Sequence, residues 1–352
     1  MTHVASALVA KGLDVTVILA AGDDDRIVHD GVRFRSCAVG RPRSGPTRWR
    51  RGIERMVRTV EESRPDLVHV HGWIAPMHVA RLTRTRSPIT VAVQDHANAV
   101  PDGAFRRWVY RRGFGAVRGA FFTARAQARP FVESGVLDPR VPVYEVIEGS
   151  TTFTPGDRAA AREMTGTTGD PALLWVGRLD ENKDPMTVLD AMDELTAALP
   201  DARLSMIFGD APLIAGVRRR IESSPGLRSR VRLIGRIPPS EVEAHCRASD
   251  VFVLGSHREG SGYALIEALA CGTPAVVSKI PAFDKIIGSR GGTTFGAGDA
   301  LGLARAVEGL VRSGTSGARR DHVRRHFDEA LSYDAIGGQL LRAYDALLGR
   351  AP

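Results

Sequence analysis

Two glutamates eight positions apart, Glu259 and Glu267, bracket the turn Glu259-Gly260-Ser261-Gly262 and the helix-like run that follows it to Gly272. An apolar, strand-like segment, residues 250–254, leads into the turn. A glycine-bearing loop that opens a helix exposes backbone N–H groups at the positive end of the helix dipole, an arrangement suited to phosphate. Glu267 falls about a turn and a half along that helix. A carboxylate there can accept hydrogen bonds from two neighbouring hydroxyls, as a ribose offers. Glu259 sits at the lip of the loop. Upstream, residues 173–185 read LLWVGRLDENKDP, a strand ending at Gly177 followed by Arg178 and Lys183. Two cations beside a strand end can offset the charge of a leaving diphosphate, Arg as a planar fork and Lys as a point charge. Asp184 reads as an N-cap with Pro185 at the first helical position.

Other reactive side chains are scattered. His69 and His71 alternate with apolar residues on a strand, so His69 is expected to be packed and hydrogen-bonded, with His71 at the strand end. His257 lies beside the glycine turn as a loop residue. His322 and His326 share a helix face at metal-compatible spacing, but no third ligand accompanies them and a solvated face is expected. Cys37, Cys246 and Cys271 are far apart and odd in number, which excludes a disulfide framework and a cysteine-rich zinc site. They read as small buried residues.

The elements that must position these groups alternate regularly. In the first half a helix at 3–11 precedes strands at 15–20, 66–71, 89–94, 120–123 and 143–147, with helices at 53–63, 75–86 and 104–112. After an aperiodic linker, 148–158, strands at 172–177, 203–208, 231–234, 250–254 and 274–278 alternate with helices at 185–199, 213–222, 239–247 and 262–271. Such alternation implies βαβ units and parallel pairing. At 352 residues two domains are expected. Ligands of doubly wound sheets bind at the carboxyl ends of the strands. The chain opens directly in a helix, so the strand and glycine-rich turn that normally begin such a domain are expected to be missing, lost or upstream of the start.

Residues 1–150 carry 23 Lys and Arg against 15 Asp and Glu, an excess equal to the whole chain's net charge of +8. The arginine-rich stretches 41–58 and 106–112 interleave Trp49, Phe105, Trp108 and Tyr110. A basic domain of this kind suits an anionic partner: a membrane surface, a phosphorylated acceptor or nucleic acid. No nucleic-acid-binding motif accompanies the charge, so nucleic acid is not expected. The absence of an 18-residue apolar run and of a leader pattern gives the expectation of a cytoplasmic protein, peripheral at the inner membrane face.

The segment from Asp250 to Ser278 resembles the EX7E motif of family 4 retaining glycosyltransferases of the GT-B fold, and 173–185 is similar to that family's GRxxxxK pattern. The likeness continues through Phe208-Gly209-Asp210, 231–237 and 296–299, and, more loosely, DLVHVHG at 66–72. It implies a GT-B α/β fold: two doubly wound Rossmann-like domains facing across a cleft, the first strand apparently missing. It implies an acceptor-binding domain over 1–150, a nucleotide-sugar-binding domain over 151–330, and a helix at 331–352 crossing back to the first. It further implies that Glu267 holds the donor ribose and that the backbone at Gly260, Ser261 and Gly262 binds the diphosphate beside Gly177, Arg178 and Lys183. Gly235 and Ile237 would lie beside the base. Glu259 and His96 would face the transferred sugar as catalytic groups. The implied reaction moves a sugar from a nucleotide-diphosphate donor to a glycan, lipid or small-molecule acceptor, with no metal or other cofactor. Two departures stand out: Gly255-Ser256 replaces the family's frequent Pro-Ser, and Glu148-Gly149 its usual Asn-Gly. A sugar-nucleotide 2-epimerase of the same fold and a crippled nucleotide-binding homologue are the alternatives.

Overall fold

In a computed structural model, residues 2–38, 46–83, 89–315 and 317–350 are described, with backbone alone over 46–50. The chain divides into two compact units, one formed by Met1–Gly149 with Tyr333–Pro352 and the other by Ser150–Ser332.

The first unit holds β1 (Thr16–Ala21), β2 (Asp25–His29), β3 (Val32–Ala38), β4 (Leu67–His71), β5 (Thr90–Gln94), β6 (Gly119–Phe122) and β7 (Val143–Glu145). They form two separate sheets, β1-β3-β2 and β4-β5-β6-β7. The expectation of purely parallel pairing is corrected here, because β2 and β3 form an antiparallel hairpin. Its turn is Asp30-Gly31, both with positive φ (48° and 75°). That two-residue geometry matches the strand twist and favours Asp-Gly. The second sheet is parallel throughout. Its strands bury Val91, Val93, Ala120 and Phe122 against Trp73, Phe114 and Phe131. The helix Ala104–Phe114 extends two residues past its expected end. The helix expected at 75–86 spans Pro76–Leu82, and residues 84–88 lie outside the described ones. The arginine-rich segment 41–45 and the side chains of 46–50, including Trp49, also lie outside them. The last helix, Tyr333–Leu348, packs on Thr2–Ala10 within this unit. Lys11 pairs with Asp334 at 2.7 Å, and the buried Tyr344 hydroxyl meets His69 Nδ1 at 2.6 Å.

The second unit holds β8 (Ala172–Val176), β9 (Arg203–Ile207), β10 (Val231–Gly235), β11 (Val251–Leu254), β12 (Ala275–Ser278) and β13 (Gly292–Phe295) in one sheet ordered β10-β9-β8-β11-β12-β13. Every pairing is parallel. β11 and β12 are buried over their full length, the mark of a sheet covered on both faces. The chain winds outward from β8 through β9 to β10, then returns to β11 and winds the other way. The switch point therefore lies between β8 and β11, where open α/β sheets bind ligands. At the opposite end, the buried Asp250 accepts from Ala172 N at 2.8 Å and Arg162 at 2.7 Å, and also pairs with Arg158. Arg158 and Arg162 stand on a helix, Arg158–Thr165, that begins where the sequence reading ended the linker. The helix expected to run to 199 ends at Glu194.

Candidate active site

The loop after β8 and the loop after β11 are laced together at the switch point. Asn182 donates from Nδ2 to the Arg258 carbonyl at 2.9 Å and accepts from Arg258 N at 3.1 Å. His257 N donates to the Asn182 carbonyl at 2.8 Å. The His257 ring meets Asp184 at 3.1 Å, while Asp184 caps the helix Pro185–Glu194 through Thr187 N. Lys183 Nζ is thereby brought into an ion pair with Glu259, and both side chains are largely buried (16% and 11% exposed). A pair so shielded needs a further polar partner to offset the desolvation of both charges. Sequence reasoning named both ends of the pair but not its lacing. Asn182 belongs to no motif, and nothing in the sequence around His257 marks it as more than a loop residue.

Arg178 pairs with a different carboxylate: its guanidinium meets Asp180 at 2.8 Å, and its side chain is 59% exposed. Gly177 N donates to the Ile207 carbonyl at 3.1 Å. A side chain at Gly177 would meet the Trp175 ring at 3.2 Å and Lys183 Cγ at 3.5 Å, so glycine lets the lysine fold back over the strand end. After β11, Gly260 is half-buried and Ser261 buried. Gly262 caps the helix Tyr263–Ala270 in the left-handed region, φ +60°. A Cβ there would lie 2.8 Å from Cε1 of the buried Phe283. The helix start is thus packed tightly against the core.

Glu267 lies on that helix, half-buried. Among the described residues no hydrogen bond or ion pair engages its carboxylate. Burial raises its pKa to about 7. At the end of β10, the Gly235 carbonyl (φ +87°) accepts from Phe208 N at 3.1 Å, and Ile237 follows, half-buried. The candidate donor-site residues lie at or after the carboxyl ends of β8, β10 and β11, on one edge of one parallel sheet.

In the first unit, His71 ends β4 and His96 follows β5. Their rings meet, His71 Nδ1 to His96 Nε2, at 3.0 Å, and the other His96 nitrogen pairs with Glu148. Burial, then the neighbouring His96, lower the His71 pKa to about 4. His69 is packed behind them, stacked on His71 at 4.7 Å. His326, one of the two histidines weighed as a metal pair, is buried and bonds the Ile286 carbonyl at 2.7 Å. On the helix Ala104–Phe114 the side chains of Phe105 (74% exposed) and Trp108 (52% exposed) point outward, their rings 6.0 Å apart. Arg112 covers the Trp108 ring at 5.7 Å. Neither ring packs into the core of the first unit.

A six-stranded parallel sheet with a cation–carboxylate pair and a helix start at its switch point, beside a second α/β unit in the same chain, defines an α/β protein with a candidate ligand site at the strand ends. The chain matches two family descriptions in succession, "Glycosyl transferase 4-like domain" over residues 1–144 and "Glycosyl transferases group 1" over residues 157–326. It belongs to the group 1 glycosyltransferases. It is 33% identical over 168 residues to D-inositol 3-phosphate glycosyltransferase 2 of Catenulispora acidiphila, covering 45% of this chain and 39% of that relative. A D-inositol 3-phosphate glycosyltransferase of Kineococcus radiotolerans is 26% identical, with 97% of this chain and 84% of the relative covered. The chain spans about half or less of several other such relatives, 51% and 36% in two cases. Among solved structures, Anabaena HepE in complex with UDP and glucose superposes with a TM-score of 0.71 at 15% identity, covering 98% of this chain and 95% of that one. The fold is therefore GT-B.

Proposed function

We propose that this chain is a retaining glycosyltransferase that takes its sugar from a nucleoside diphosphate donor. One observation carries the reading: a half-buried carboxylate without a protein partner among the described residues, Glu267, sits on the helix capped by Gly262, which follows the loop that bears Glu259 of the Lys183–Glu259 pair. The ribose hydroxyls donate to Glu267, and the diphosphate lies against the N–H groups of Gly260, Ser261 and Gly262. Lys183, with Arg178 swung from Asp180, offsets the charge that grows on the leaving diphosphate. Such charge is stabilised best by groups already in place. No metal or other cofactor is then required. Glu259 faces the transferred sugar, Gly177 keeps the strand end open, and Gly235 and Ile237 flank the base.

In the transfer step the bond from the anomeric carbon to the phosphate oxygen breaks. The acceptor oxygen bonds to that carbon on the same face, and its proton passes to the departing phosphate. The first unit holds the acceptor, and His96 is the group of that unit assigned to it. The relatives' names point to a phosphorylated small molecule as acceptor, and the basic first unit fits an anionic one; a phosphorylated glycan or lipid would share that chemistry. Phe105 and Trp108, flanked by Arg106, Arg107 and Arg112, suit peripheral docking on an anionic inner membrane face from the cytoplasm, each arginine adding about 1 kcal/mol. The test is incubation with nucleoside diphosphate sugars and a panel of acceptors. A glycoside of retained anomeric configuration, formed together with free nucleoside diphosphate, supports the reading. A free epimerised nucleotide sugar, or no turnover of any donor, overturns it.

A further inference from the structure

Asn182 ties the loop after β8 to the loop after β11. Its Nδ2 donates to the Arg258 carbonyl at 2.9 Å, its Oδ1 accepts from Arg258 N at 3.1 Å, and its own carbonyl accepts from His257 N at 2.8 Å. Lys183 follows Asn182 in the chain and Glu259 follows Arg258, so the residues joined are the immediate neighbours of the ion pair. We infer that Asn182 is a positioning residue for sugar transfer: it clamps the backbone of Arg258, and so sets Glu259 at the reacting sugar, while taking no part in nucleotide binding. The inference rests on the transferase reading and adds to it a residue outside its motifs.

The loop after β8 has anchors of its own. Lys183 N donates to Asp180 Oδ1 at 2.9 Å, Asp184 N to the Asp180 carbonyl at 3.2 Å, and Leu179 N to the Asp210 carbonyl at 2.9 Å. The loop after β11 is fixed at its two ends, where the Ser256 carbonyl accepts from Ser278 Oγ and Gly262 packs on Phe283. Between those ends, three backbone groups of His257 and Arg258 are bonded to Asn182. A side-chain amide carries a donor and an acceptor on one planar group, so it can meet the N–H and the C=O of one residue as a neighbouring strand would. The two loops approach closely: a Cβ on Gly255 would lie 3.2 Å from the Asp184 carbonyl oxygen, which favours glycine there. Glu267 is held independently, on a helix whose Leu265 N and Ile266 N bond the Gly262 carbonyl at 3.0 and 3.1 Å. The clamp therefore acts on Glu259 and leaves Glu267 in place. A reacting group displaced by about 1 Å can cost about 100-fold in rate.

The test has one arm without turnover and one with it. Amide hydrogen exchange is measured on the ¹⁵N-labelled full chain. In Asn182→Ala the Arg258 amide should exchange about tenfold faster than in the wild type or more, while Ile266 N–H, the internal reference, keeps its rate. In the kinetic arm Asn182→Ala should lower kcat by about 10- to 100-fold, and the Kd values for UDP, GDP and ADP should stay within about twofold of the wild type's. Asn182→Asp keeps the acceptor for Arg258 N and should recover the amide's protection and part of kcat. In a Glu259→Gln background Asn182→Ala should cost no further rate, because residues that act as a unit are not additive. An unchanged Arg258 amide in Asn182→Ala overturns the clamp whatever the turnover. Faster exchange at Ile266 as well would make Asn182 a general fold contact and overturn the inference. An unchanged kcat, or a full further loss in the Glu259→Gln background, overturns the positioning role. A wild type that turns over no donor, with the Arg258 amide released by Asn182→Ala, would count against the transferase reading and not against the clamp.

Discussion

Protonation of Glu267 should gate donor binding. The half-buried carboxylate has a pKa raised to about 7 by desolvation. A ribose needs the ionised form, because a neutral carboxyl accepts less well and must place its own proton. If only the ionised form binds, the apparent Kd carries a factor of 1 plus the ratio of protonated to ionised Glu267. That factor is about 11 at pH 6 and about 1.1 at pH 8, so affinity should fall about tenfold between them, on the order of 1.4 kcal/mol. The assay is calorimetric titration with a nucleoside diphosphate sugar, whose bridged phosphates carry no proton that titrates in this range. Glu267→Gln should bind more weakly at pH 8 and lose the pH slope. A slope in Glu267→Gln equal to the wild type's would refute the reasoning, since another group would then be titrating. The same shift has a stability consequence of fixed sign. A carboxyl whose folded pKa is raised favours folding below its unfolded value, and that contribution is lost as pH rises through about 7. Ligand-free Glu267→Gln should therefore be more stable than wild type above pH 7, by up to about 3 kcal/mol.

Lys183→Ala leaves Glu259 as a shielded charge without its cation, and should cost about 3–5 kcal/mol of stability by chemical denaturation. A Lys183→Met/Glu259→Gln double variant should recover most of that stability while remaining inactive. Gly262→Ala sets a Cβ 2.8 Å from Phe283 at φ +60° and should lower stability by about 1–3 kcal/mol, visible as a lower Tm. Turnover should survive EDTA; activity lost to EDTA and restored by Mg²⁺ would contradict the assignment of the leaving-group charge to Lys183 and Arg178. Phe105→Ser/Trp108→Ser should abolish sedimentation with anionic vesicles at low salt. Equal recovery of the wild type with neutral vesicles would reject the docking reading.

Most of the second unit was legible because fully buried parallel strands read as short apolar runs between helices. Residues 172–177 and 250–254 needed no tertiary information. The candidate donor-site residues drew notice because glycine, arginine and glutamate at fixed offsets from a strand end carry chemistry of their own. The hairpin β2–β3 escaped because every residue of β2 is exposed and no hydrophobic alternation marks it, although Asp30-Gly31 carried a turn signal. The helix Arg158–Thr165 hid behind a linker-like composition, and its purpose, two arginines on buried Asp250, appears only in three dimensions. Glu148 drew notice only as a departure from a family pattern. Its partner, His96, is 52 residues away, and no local signal joins them.

The most direct test of the donor site is a thermal-shift comparison of wild type and Glu267→Ala with UDP, GDP and ADP. At one hundred times Kd a ligand stabilises by about 2.7 kcal/mol, a shift of several degrees in Tm. One nucleoside diphosphate should raise the Tm of the wild type and, at the same concentration, raise that of folded Glu267→Ala much less. No shift with any of the three, or equal shifts in both proteins, would contradict a nucleotide site built around Glu267.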